Sequence, residues 1–76
     1  MNTTGTLDAL RDYYLRGLDH AEHPRFLAMI GEMGHLKTEE QVSAFAMVYM
    51  LDMSIPRGVI ASAIGYVEKS IARGLR

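Results

Sequence analysis

Thr38-Glu39-Glu40-Gln41-Val42-Ser43-Ala44-Phe45-Ala46-Met47-Val48-Tyr49-Met50-Leu51 is the stretch that decides how this chain folds. Its opening has the form of a capping box: the Thr38 hydroxyl can accept from the backbone N–H of Gln41 while the Gln41 side chain reaches back to the N–H of Thr38. A helix therefore starts after Thr38. From Ala44 to Leu51 every residue is apolar, on all sides of the helix, which is the pattern of a helix surrounded by protein. The run is far shorter than the roughly 20 residues a membrane span requires. The spacing predicts a central, apolar third helix with neighbours packed around it.

Those neighbours can be read on either side. Pro24 suits the first turn of a short helix whose Phe26, Met29, Ile30 and Met33 share one face, with Gly34 expected as its left-handed cap. Before it, Thr6 is a candidate N-cap for a helix carrying Leu7, Leu10, Tyr14 and Leu18 at steps of three and four, with residues 1–5 expected to be flexible. After it, Ser54-Ile55-Pro56 ends the third helix and opens a fourth, on which Ile60, Ala63, Ile64, Val67, Ile71 and Leu75 recur at helical spacing. No alternating strand pattern competes. The expected fold is all-α, a compact bundle of about four short helices forming a single domain over residues 1–76.

Composition narrows the class. A chain of 76 residues supports one hydrophobic core. The absence of cysteine removes disulfides and thiolate metal cages and points to a reducing, cytoplasmic setting. Met1 is followed by Asn2-Thr3-Thr4-Gly5-Thr6, without the basic and apolar blocks of an export signal, and no membrane association is expected. The net charge of −1 conceals an asymmetry. Up to Asp52 acidic residues outnumber basic ones two to one, whereas from Met53 onward only Glu68 opposes Arg57, Lys69, Arg73 and Arg76. The C-terminal third is a basic element on an acidic body, either complementing a helix C-terminus or forming a binding face.

Chemistry-bearing constellations are few. His20 and His23 stand three apart with His35 further on, but they fall where one helix gives way to Pro24 and lack a fourth ligand, so surface or capping roles are expected and no metal. Ser43, Ser54, Ser62 and Ser70 lie in helical or capping contexts without a nucleophile elbow, and the glycines form no phosphate-binding loop. Glu39 and Glu40 are explained by the dipole of the helix they open. No enzyme activity and no cofactor are expected.

The segment from Arg57 to Arg76 has two readings. Ile60-Ala61, Ile64-Gly65, Tyr66 and Ile71 fall in the places of a helix-turn-helix, which the segment resembles; the resemblance implies a tight turn at Gly65 and a recognition helix from Glu68 presenting Lys69, Arg73 and Arg76 to DNA. The other reading is one continuous amphipathic helix from Pro56 to Arg73, with Val67 in the core and Gly58, Ala61, Ser62 and Gly65 forming a small-residue surface for a neighbouring helix. The second is preferred. The functional expectation is a small non-enzymatic regulatory or inhibitory protein that binds another protein as a homodimer, with a DNA-binding regulator as the alternative. In size and absence of chemistry it resembles the small inhibitors carried by phages and plasmids. Arg57, Lys69, Arg73 and Arg76 are the expected partner-binding residues, and Phe45, Met47, Tyr49 and Met50 the expected dimer interface or the core beside it. The apolar third helix motivates the dimer, because so small a bundle can barely cover it.

Overall fold

A chain whose apolar residues recur at steps of three and four can bury them only by laying helices side by side, and the computed structural model does this over the residues it describes, 3–75, with side chains from Leu7 onward. Helix α1 spans Thr3–Arg16, a 3-10 turn His20–Glu22 leads into α2 at His23–Glu32, α3 spans Glu39–Met50 and α4 spans Arg57–Ala72. Among the described residues there is no strand, and no helix is long and apolar enough to cross a membrane.

The helix ends follow from local chemistry. At α3 the capping box is present: Gln41 N–H donates to Thr38 Oγ1 at 3.2 Å, and Gln41 Oε1 accepts from the N–H groups of Thr38 at 3.2 Å and Lys37 at 2.7 Å. Pro24 sits in the first turn of α2, as expected. His23, one residue earlier, donates from Nε2 to the carbonyls of Leu15 at 2.8 Å and Leu18 at 3.3 Å, tying the end of α1 to the start of α2. Helix α1 begins at Thr3, three residues ahead of the cap expected at Thr6. The left-handed glycine is also displaced: Gly34 has no positive φ, whereas Gly74 does, at 68°. Gly74 closes α4 in a Schellman motif, with Leu75 N–H on Ser70 O at 2.9 Å and Gly74 N–H on Ile71 O at 3.1 Å.

The centre of the bundle is α4, not α3. Val59, Ile60, Ala63, Tyr66, Val67 and Ser70 of α4 are buried, and α1, α2 and α3 all pack against it. Phe26 of α2 is fully buried between Tyr14 of α1, stacked at 6.5 Å, and Tyr66 of α4, edge-on at 6.2 Å. Leu10, Met29, Met33, Leu36 and Val42 complete the core. Helix α3 buries only Val42, with Phe45 and Tyr49 half-buried beside it. The physical reason is geometric. The backbone extends over 39 × 29 Å but is only 14 Å thick, so helices flanking α4 have no protein on their outer sides.

Helix α4 runs unbroken through Gly65, so the turn of a helix-turn-helix is absent from the Arg57–Ala72 segment. Gly65 serves a close approach instead. A Cβ there would lie 2.7 Å from the Tyr14 hydroxyl and 3.1 Å from Cζ, because the Tyr14 ring rests on the helix backbone. The small-residue surface is narrower than expected, since a Cβ at Gly58 would meet nothing within 4 Å.

Candidate interaction surfaces

Two surfaces emerge, one cationic and aromatic, the other apolar. The first lies where α1 crosses the C-terminal half of α4. Tyr13 and Tyr14 are adjacent on a helix and so point about 100° apart. Tyr14 takes the inward place against Gly65 and Phe26, which leaves the Tyr13 ring 64% exposed and edge-on to Tyr14 at 5.3 Å. Lys69, from the last turn of α4, sets its ammonium 5.6 Å from the Tyr13 ring centre and 5.3 Å from that of Tyr14. Such cation–ring contacts contribute about 0.5–1 kcal/mol when exposed and hold the lysine in place. Arg73 joins Lys69, Tyr13, Leu10 and Ala9 around a hollow of about 270 Å³. On the other side of Tyr13, Arg16, Gly17, Tyr14 and Ser62 border a second hollow of about 550 Å³. The acidic neighbour is Asp12, which shares Arg11 with Asp8 at 3.6 and 3.4 Å.

Of the basic residues expected to form one face, Lys69 and Arg73 do so. Arg57 begins α4, about 24 Å along the helix from Arg73, and belongs to a different end of the molecule. Arg76 lies outside the described residues. Sequence reasoning missed Tyr13 and Arg16. The signal for Tyr13 was present in the Tyr13-Tyr14 pair: once the apolar stripe takes one ring, the other must leave it.

The second surface is the outer side of α3 and the turn after it. The four residues expected there divide. Phe45 and Tyr49 turn toward the core, and Met47 and Met50 turn away, 70% and 49% exposed. Val48, Leu51 and Met53, 65%, 83% and 88% exposed, extend the outward surface. Ala44, Met47 and Leu51, with Val48 at the flank, have the spacing of a helix-pairing seam. One charged residue, Glu40, heads this line, and none lies within it before Asp52.

The seam is anchored by polar contacts at its edge. Tyr49 Oη donates to Glu32 Oε1 on α2 at 2.6 Å. Burial, with the Glu32 hydrogen bond and charge behind it, pushes the Tyr49 phenol up to about 12, so it acts as a fixed donor. Asp52 Oδ1 accepts from Ser54 Oγ at 2.6 Å and Ser54 N–H at 2.9 Å, which hold its carboxyl below the usual carboxylate range, helped by the charge of Arg25. Between α2 and α3, Arg25, Glu32, Val48, Tyr49 and Asp52 border a cleft of about 360 Å³.

His23 is engaged with backbone carbonyls, Ser54 with Asp52, and the Ser70 hydroxyl with the carbonyl of Val67. Among the described residues no group of three or more His, Cys, Asp or Glu converges to hold a metal. No protein-family model matches the chain, and neither a curated protein nor a solved structure matches it.

Proposed function

We propose that this chain is a small non-enzymatic protein that regulates or inhibits another protein by binding it, and that it works as a homodimer. The observation that carries the reading is the outward face of α3. Met47, Val48, Leu51 and Met53 are each more than half exposed and contiguous along the helix and its exit turn. Fully burying such a side chain contributes about 1.5–3 kcal/mol. Leaving several of them open in a chain this small is a cost that association offsets.

The partner-binding face is the α1/α4 surface. Trp, Tyr and Arg are enriched where protein interfaces concentrate their binding energy, Tyr because its ring covers a large area with two rotating bonds and Arg because its planar guanidinium presents a fixed fork of donors. Tyr13, Arg16 and Arg73 meet that description, and Lys69 fixes the exposed ring. Two cations beside one hollow favour an acidic surface on the partner.

The test is a photo-crosslinking residue placed at position 13 in the full-length chain, exposed to an extract of the native host. The expected product is a protein adduct that disappears when Arg73→Glu is added. Nucleic-acid binding is the competing outcome, favoured by the same exposed ring among basic residues. In that case the crosslinked product is nucleic acid, and binding weakens steeply with salt through counterion release. Either that result or the absence of any adduct overturns the proposal.

A further inference from the structure

We infer that a second copy of this chain covers the outer seam of α3, packed antiparallel across a two-fold axis between Met47 and Val48. The inference deepens the proposed function and rests on it for the second copy, but it adds the orientation and the register. A seam of Ala44, Met47 and Leu51 is self-complementary, because a two-fold axis at its centre lays Ala44 of one copy against Leu51 of the other and brings Met47 against its own symmetry mate. Small Ala44 faces large Leu51 at each end, and the two Met47 side chains fill the middle. With no charge between Gln41 and Leu51, nothing within the seam demands a partner of different composition.

At the ends, the antiparallel copy sets Glu39 and Glu40 beyond Leu51 of its partner, beside the turn that leads to Arg57 and carries Asp52, so the charge they meet there is mixed. A parallel arrangement would instead bring Glu39 and Glu40 of both copies together.

The area is that of a small interface. The exposed parts of Met47, Val48, Met50, Leu51 and Met53 amount to on the order of 300 Å² of apolar side chain per copy. A standard interface of roughly 800 Å² per partner contains about 450 Å² of apolar surface. Ala44 contributes toward the difference, which places the dimer at the lower end of stable interfaces.

The chain contains no cysteine, so single-cysteine variants report the register directly. Under mild oxidation, purified Met47→Cys should form a disulfide-linked dimer, Glu40→Cys alone should not, and a mixture of Ala44→Cys with Leu51→Cys should yield the mixed dimer. By sedimentation equilibrium, Leu51→Glu should weaken association at least tenfold with unchanged helix content. A monomeric chain at millimolar concentration overturns the inference, as does a Glu40→Cys chain that links to itself as fast as Met47→Cys. A monomer that still captures a protein through position 13 leaves the protein-binding part of the proposed function standing and removes the homodimer. A dimer that captures nothing there sinks the function and leaves the dimer.

Discussion

Gly65→Ala tests the packing of α1 on α4 most sharply, because two effects of similar size oppose each other at one atom. In a helix interior, alanine is favoured over glycine by about 0.8–1 kcal/mol. The new Cβ, however, would lie 2.7 Å from Tyr14 Oη, 3.1 Å from Cζ and 3.2 Å from Cε1. The Tyr14 ring must then lift by several tenths of an ångström, disturbing its stack on Phe26 and its contact with Lys69. Overpacking of this kind costs about 1–3 kcal/mol. The net expectation is a loss of up to about 2 kcal/mol. Tyr14→Leu removes all three clashing atoms and keeps an apolar side chain at that place, so in the Tyr14→Leu background the same Gly65→Ala change should stabilise by about 1 kcal/mol. The difference between the two backgrounds is a coupling of about 1–3 kcal/mol, of the size expected for residues in contact. Urea unfolding of the four proteins measures it, with midpoints expected to move by about 1 M for each kcal/mol at the slope typical of small domains. If Gly65→Ala stabilises equally in both backgrounds, α1 does not rest on α4 at this point. If it destabilises in both, residue 65 is not in a helix interior and the helix-turn-helix reading returns.

The remaining predictions concern helix ends and one tyrosine. Thr38→Ala should lower stability by about 1 kcal/mol, since the N–H of Gln41 loses its acceptor, while the helix content read by circular dichroism stays close to that of the parent. Gly74→Ala should cost about 1–2 kcal/mol at φ 68°, whereas Gly58→Ala, in open space, should be neutral or mildly stabilising; comparison of their thermal midpoints checks both. The Tyr49 phenol is raised from 10.0 to about 12 in the folded state, so its contribution is fully present below pH 10 and is lost as the pH rises toward 12. Tyr49→Phe should therefore flatten the fall in stability across that window, and a parallel fall in parent and variant would remove the Glu32 contact from the explanation.

Local signals in the sequence were reliable where the groups that satisfy one another sit within a turn. Thr38 and Gln41 are three residues apart, Pro24 fits the first turn of α2 by its own ring geometry, and the stripes of α1 and α2 follow from helical spacing. The left-handed cap expected at Gly34 is not there, and Gly74 takes positive φ instead, because the hydrogen bonds of the last turn and not the residue type decide which glycine adopts it. The candidate surfaces were less legible still. Arg57, Lys69 and Arg73 appear as one basic group when charge is counted along the chain, but an unbroken helix carries Arg57 to the far end. Tyr13 belongs to the patch only because α1 crosses α4 at Gly65, a contact between residues some fifty positions apart.

The misplaced centre follows from the same cause and bears on function. Helical spacing reports how many sides of a helix are apolar, not which neighbours cover them. Helix α4 is central because Gly65, Ala63 and Ser70 let neighbours approach it from several directions, with Val59, Ile60 and Val67 filling the space between. Helix α3 is apolar all round and yet covered along one side, where Val42, Phe45 and Tyr49 meet the core. A helix that needed only that contact would carry polar residues at Ala44, Met47, Val48 and Leu51, as amphipathic surface helices do. The all-round pattern thus corresponds to one burial made within the chain, against α4, and to an outer side that is exposed and on which the proposed dimer rests.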